Sequence, residues 1–362
     1  MTEIARRIAA HDRREDAPLH GFESFGDFAL AVRAARSRAA VGIDERLKIG
    51  AAAPTTFGSE GTGQDGGFAV PTLFARQMFI AAARQEENLL QYCDTTLIDG
   101  NSLIIPTDET TPWATGGVRA YWQNEAVTTA TKPLLRDLQL RQNKLIGLVP
   151  VSDELLHDAA ALSSYLPAKL GLSIVWKTNE GILNGLGGGS PLGCFKSPAA
   201  IVVAKDAGQA TATISQTNLT NMVARLPPGS FGPSCWLIAP DAIPALLAVN
   251  LASYPMVPAP PRPDGRPSSL IGLLYGRPAI ASQHVAAFSS QGDISLVDLQ
   301  YYAAIVRSDG PRTSISLDFA FDAGVATFKV VLRVDGVPKI VSQIAQANSS
   351  NKLSPFIQLA AR

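Results

Sequence analysis

The chain has 362 residues, of which 46% are hydrophobic and 17% charged, so it is long enough to bury a large core as two lobes or one domain with insertions. Its formal net charge of zero argues against a nucleic-acid binder that depends on a strongly basic surface, though not against a wall that only encloses nucleic acid. Cys93, Cys194 and Cys235 lie far apart with no CxxC pair, which predicts reduced core thiols of an intracellular protein and neither a disulfide framework nor a zinc site.

The start, MTEIARRIAAHDRRED, has no signal-peptide h-region, and no apolar run is long enough to span a bilayer, so neither secretion by that route nor a membrane span is expected. Within Gly21 to Ala39, Phe25, Phe28, Ala29, Val32 and Ala35 recur at helical steps. That stripe must lie on something. The two candidates are the chain's own domain and a neighbouring subunit. A Gly/Thr/Ser-rich tether follows, and GGFAVP at Gly66 to Pro71 leads into a predicted helix, with proline at its start where the missing N–H costs least.

Strands are predicted at Leu89 to Ile98 and Leu103 to Pro106. The chain then makes a long two-stranded excursion that leaves at about residue 100 and returns at about 143. It carries Pro106, Pro112, Pro133, Gly116 and Gly117, with Trp113 and Trp122, two of the four tryptophans, and Tyr121. Disordered segments are poor in aromatics, so this one is expected to be ordered by contact, either at an interface or against its own domain.

In KLIGLVPVSDELLHD (Lys144 to Asp158), Ser152 is placed to cap a helix, with Asp153 and Glu154 in its first turn. A spine helix of about 24 residues, Ser163 to Leu186, would span roughly 36 Å. Leu166, Leu170 and Ile174 line one face, and Val175, Trp176, Ile182, Leu183 and Leu186 predict cover on most of the others. Gly185, Gly187, Gly188 and Gly189 stop it. Further on come a buried strand at Cys235 to Pro240, a short helix at Asp241 to Val249 and an irregular Pro-rich loop at Tyr254 to Pro267. Alternating strands follow, with a turn expected at Asp335–Gly336. The fold class is α+β without internal repeat.

Chemistry is not evident. GLGGGSPLG follows a helix instead of opening one and no Lys-Ser/Thr pair succeeds it, so it is no phosphate loop. Asp153 and His157 sit at ion-pair spacing and no G-x-S-x-G elbow exists. His11, His20, His157 and His284 show no ligand spacing. No catalytic, cofactor or metal residues are assigned, and no enzyme activity is expected.

The order of these features resembles the major capsid proteins of tailed bacteriophages, with the Hong Kong 97-type fold. The resemblance rests on GGFAVP, on YWQNEA (Tyr121 to Ala126) in the long loop, on KLIGLVPVSDELLHD with its spine helix, and on the stop at Gly188 to Gly193. LLYGRPAIAS (Leu273 to Ser282) and the closing strands complete it. It covers roughly Gly66 to Pro338. It implies an N-terminal arm (1–66), an extended loop (100–142) and an axial domain (191–308). The peripheral domain would comprise 67–99, 143–190 with the spine helix, and 309–337, and a C-terminal segment (338–362) would join the axial domain.

The implied function is structural. Hexamers and pentamers would form an icosahedral head shell around double-stranded DNA in a virion assembled in the bacterial cytoplasm, with portal, scaffolding and decoration proteins as partners and no membrane. Expected intersubunit contacts are Phe25, Phe28 and Val32 in the arm and Trp113, Tyr121, Trp122 and Glu125 in the loop. Lys132 and Lys144 offer amines there, but no surrounding motif carries over the intersubunit crosslinks known in some relatives. The alternatives are an encapsulin-like nanocompartment, which shares the fold, and a soluble enzyme with a site built across lobes.

Overall fold

The computed structural model describes residues 31, 67–69, 88–113, 117–122, 131–152, 159–249, 257–258, 270–320 and 325–362. Five strands come first: β1 (Gly67–Ala69), β2 (Asp94–Ile98), β3 (Ser102–Asp108), β4 (Leu135–Arg141) and β5 (Asn143–Ser152). Helix α1 (Ala159–Asn184) follows, then β6 (Ile201–Val203), α2 (Gln216–Val223), β7 (Cys235–Ile238) and α3 (Ile243–Leu247). The later strands are β8 (Val257–Pro258), β9 (Leu270–Leu274), β10 (Arg277–Ala281), β11 (Ile294–Val297) and β12 (Tyr302–Arg307). The chain closes with β13 (Arg312–Ala320), β14 (Val325–Pro338), β15 (Ile344–Ala345), β16 (Lys352–Leu353) and β17 (Phe356–Leu359).

Two sheets organise the described residues. The first runs β1-β13-β14-β12-β2, with β5 along the other edge of β14. Strand β14 is its axis: β5 pairs with it from Val325 to Val334, while β13 and then β12 occupy the opposite edge. The reason lies in its alternation. Phe328, Val330, Leu332 and Val334 are buried in one core with Leu170, Ile174, Ile182 and Leu183 of α1, and the residues between them (Lys329, Val331, Arg333) face the other way. The second sheet has the order β6-β17-β11-β7-β10-β9-β8. Its central strands β7 and β11 are buried at every residue and, with α2, enclose a core around Trp236, Leu219 and Met222.

Several expectations from the sequence need correction. Ser152 ends β5 opposite Val325, and the first turn that it was expected to cap, 153–158, lies outside the described residues. Asp335–Gly336 is no turn, because β14 passes straight through both residues. Glycine is needed at 336 for another reason: a Cβ there would run into the ring of Tyr302 on the neighbouring strand. Trp176 and Leu186, expected to be covered, are not: Trp176 lies in an exposed stripe of α1 with Lys169, Ser173 and Lys177, and Leu186 lies beyond the helix end, 80% exposed. Strand β12 is hydrogen-bonded into the first sheet, between β14 and β2, and so parts from the rest of 191–308.

The helix does stop at the glycines. Gly187, Gly188 and Gly189 all have positive φ, and the amide of Gly193 donates back to the Gly185 carbonyl at 2.8 Å. A Cβ on Gly193 would lie 2.5 Å from the Leu183 carbonyl oxygen, so only glycine fits that approach. The amide of Leu192 then donates to the Gly336 carbonyl at 2.8 Å, tying the stop to β14.

Of the amino-terminal helix predicted at Gly21 to Ala39, Ala31 is described. It is helical and 8% exposed, within the same core as α1. Phe25, Phe28 and Val32 lie outside the described residues, as do Glu125, Asp153, His157, the helix predicted after Pro71 and most of the Pro-rich loop.

Candidate functional site

Strands β3 and β4 form an antiparallel hairpin in continuous register from Ser102↔Arg141 to Asp108↔Leu135. Its inner face carries Leu103, Ile105, Leu138 and Leu140, and these pack on Ala303 and Ile305 of β12 and on Val337. On β12, Ala304 and Val306 belong to the core with α1. Alternation therefore puts the hairpin on the opposite face of the first sheet from the helix. The excursion does not leave the body at residue 100; its first two strands lie on the body.

Carboxylates fix this hairpin at two places. At the root, Asp335 accepts from the Arg141 amide at 2.9 Å and from Asn143 Nδ2 at 3.1 Å. Burial pushes the Asp335 carboxyl above its ordinary value, against the pull of these donors. At the far end of β3, Glu109 Oε1 accepts from the Val341 amide at 3.0 Å and pairs with Arg136 Nη1 at 3.0 Å. Its Oε2 accepts from the Ser342 amide at 3.2 Å and from Ser342 Oγ at 2.6 Å. Asp108 closes the next turn, accepting from the Thr110 amide at 2.8 Å and Thr110 Oγ1 at 2.6 Å, and these bonds hold its carboxyl below its ordinary value.

The aromatic residues differ from one another. Trp113 is 50% exposed and donates from Nε1 to the Ala345 carbonyl at 3.1 Å, so it contacts its own chain. Tyr121 is exposed, and Trp122 is fully so at 106%. The outer loop nevertheless has internal ties: the Arg119 amide donates to Thr131 Oγ1 at 3.1 Å. Gly117, at φ +72°, presses against Thr110 so closely that no Cβ would fit. Sequence reasoning found the aromatics and missed Glu109 and Asp335. Nothing local marks either, because each is defined by donors about two hundred residues away in the chain.

Chemistry finds little support among the described residues. They contain no His, Cys, Asp or Glu grouping suited to a metal ion. Cys93, Cys194 and Cys235 form no disulfide and belong to or line one core, where burial, and then the neighbouring thiols, push the Cys93 and Cys194 thiols upward, away from the reactive thiolate. No described helix is long and apolar enough to cross a membrane.

Comparison with known proteins agrees with this arrangement. The chain is similar over most of its length to the capsid of an empty GTA particle, with TM-score 0.54 and 15% identity, covering 76% of this chain and 90% of that one. A chain from Mycobacterium phage Bobi gives TM-score 0.52 and 15% identity, covering 77% and 91%. One from Mycobacterium phage Cain gives 0.50 and 16%, covering 78% and 93%. At these identities the likeness establishes the fold, the α+β capsid architecture. No curated protein matches the sequence. The model of the phage capsid family matches residues 66–347, well over half the chain, and the protein belongs to that family.

Proposed function

We propose that this chain is the principal subunit of an icosahedral phage head, building hexamers and pentamers that enclose double-stranded DNA. On this reading the first sheet with α1 is the peripheral part of the subunit and the second sheet the axial part. The observation that carries it is the exposed outer hairpin, with Trp122 wholly in solvent, on a chain of the phage capsid family. A large aromatic left bare at the end of a long anchored hairpin gains by burial against another molecule. We place Tyr121, Trp122 and Glu125 at that contact and Trp113 at its edge. The near-neutral charge suits a wall that encloses DNA without gripping it. Portal, scaffolding and decoration proteins are the partners this role requires, and the virion is its location.

The test is electron microscopy of the expressed chain beside Trp122→Ala. The expected outcome is closed shells, sheets or tubes from the parent, and a folded, soluble protein without shells from the variant. A parent that stays a small oligomer under all conditions would overturn the assignment. Shells filled with a cargo enzyme and free of DNA would point to the nanocompartment.

A further inference from the structure

The Glu109 carboxylate occupies an unusual position. It directly follows β3, yet three of its four donors come from Val341 and Ser342, near the opposite end of the sequence. We propose that Glu109 is a positioning residue: a clip that fixes the angle at which the hairpin leaves the body, and so where its aromatic end meets a second copy. The idea rests on the assembly role above for its consequence, but the clip itself is a property of the single chain.

The root of the hairpin is already secured by the Leu103, Ile105, Leu138 and Leu140 cluster and by Asp335. A second anchor at Glu109, about four residues or roughly 13 Å beyond Ile105, adds little to that core. It removes a degree of freedom instead. A hairpin held at one end pivots, and one held at two separated points has a direction. A small rotation at the root is multiplied along the arm, so the distant aromatics feel it most. Trp113, bonded to the Ala345 carbonyl, ties the same two segments again just beyond the clip.

The chemistry explains why a carboxylate is needed. Both oxygens accept only, and their lone pairs are filled by Arg136 and Val341 on one side and by the amide and hydroxyl of Ser342 on the other. Glutamine has the same shape but replaces one oxygen with an NH2 donor. Turned toward Arg136 and Val341, that NH2 leaves both without an acceptor; turned toward Ser342, it can donate to the hydroxyl, and the Ser342 amide is left without one.

The test uses the full chain, unassembled and carrying Cys93→Ala because that residue is only partly buried, with nitroxides at Val118→Cys and Lys196→Cys, both exposed sites, while Cys194 and Cys235 are buried. Pulsed electron–electron resonance should give a narrow distance distribution in the parent and a broad or displaced one in Glu109→Gln. Exchange of the Ser342 amide should quicken roughly tenfold or more in that variant, with the thermal transition nearly unchanged. Arg136→Leu, which leaves the three long-range donors in place, should keep the parent distribution. Identical distributions in Glu109→Gln and the parent would overturn the clip. In particle imaging, Glu109→Gln should turn uniform shells into mixed sizes or open sheets; uniform shells from a variant with a loosened hairpin would overturn its role in assembly. A parent that never forms shells defeats the assembly role, and the distance distributions still decide whether Glu109 sets the angle.

Discussion

Arg362 and Asp293 show how much a single contact can carry. Their side chains are completely buried and paired through both guanidinium ends, at 3.0 and 2.6 Å, while Arg362 Nε donates to the Thr213 carbonyl at 2.5 Å. Asp293 also accepts from the Ser289 amide at 3.0 Å, and the guanidinium lies 5.6 Å from the Phe288 ring centre. A pair this deep is no evidence of net stabilisation over an apolar substitute, but removing one partner strands the other. Arg362→Ala is therefore expected to cost about 3–5 kcal/mol in denaturant unfolding of the unassembled chain. Lysine should restore only part of it, since an ammonium cannot make the two parallel bonds and reach Thr213 as well. A midpoint equal to the parent's in Arg362→Ala would show that water reaches this site.

At the scale of the element, α1 offers a contrast between adjacent residues. Ile174 is 5% exposed and packs in the core beneath β14, while Ser173 is exposed and donates from Oγ only to the Lys169 carbonyl. Ile174→Asp should cost several kcal/mol and give insoluble or unfolded protein, because a carboxylate there has no partner and no water. Ser173→Asp should stay within about 0.5 kcal/mol of the parent. Equal tolerance at both positions would mean that the helix is rotated from the orientation described here. The hairpin is the second instructive element. Alternation and composition marked its existence and its aromatics, since those are local patterns. That its inner face lies on β12 was not legible, because Leu138 and Leu140 read equally well as covered by a neighbour.

For the whole molecule, the deciding segment is the amino-terminal helix predicted at Gly21 to Ala39. Ala31 is buried in the chain's own core; on the helix that the sequence predicts, with 3.6 residues per turn, Phe25, Phe28 and Val32 would be centred about 100° away from it. We therefore expect the helix to rest on its own body by its small residues and to offer the stripe to a neighbour. The double variant Phe25→Ala, Phe28→Ala should keep the thermal transition of the free chain within about a degree or two, and its shells should be fragile or malformed. A drop of many degrees in the free chain would place the stripe in the chain's own core.

The sequence by itself determined the elements whose cause is local. These include the glycine stop after α1, the buried strand at Cys235 and the alternation of β14. It also determined the family, because an ordered set of weak motifs is jointly specific. Only the tertiary structure decided what depends on residues remote in sequence. Gly336 looks like half of a turn until Tyr302 is seen pressed against it. Strand β12 looks continuous with β11, yet the 3-10 turn at Leu299–Tyr301 carries it from one sheet into the other. Glu109 is one exposed-looking acid among several until Val341 and Ser342 arrive from the far end of the chain. Local pattern encodes which face of a segment is apolar; which partner covers that face is settled by packing between segments, and no window along the sequence contains both.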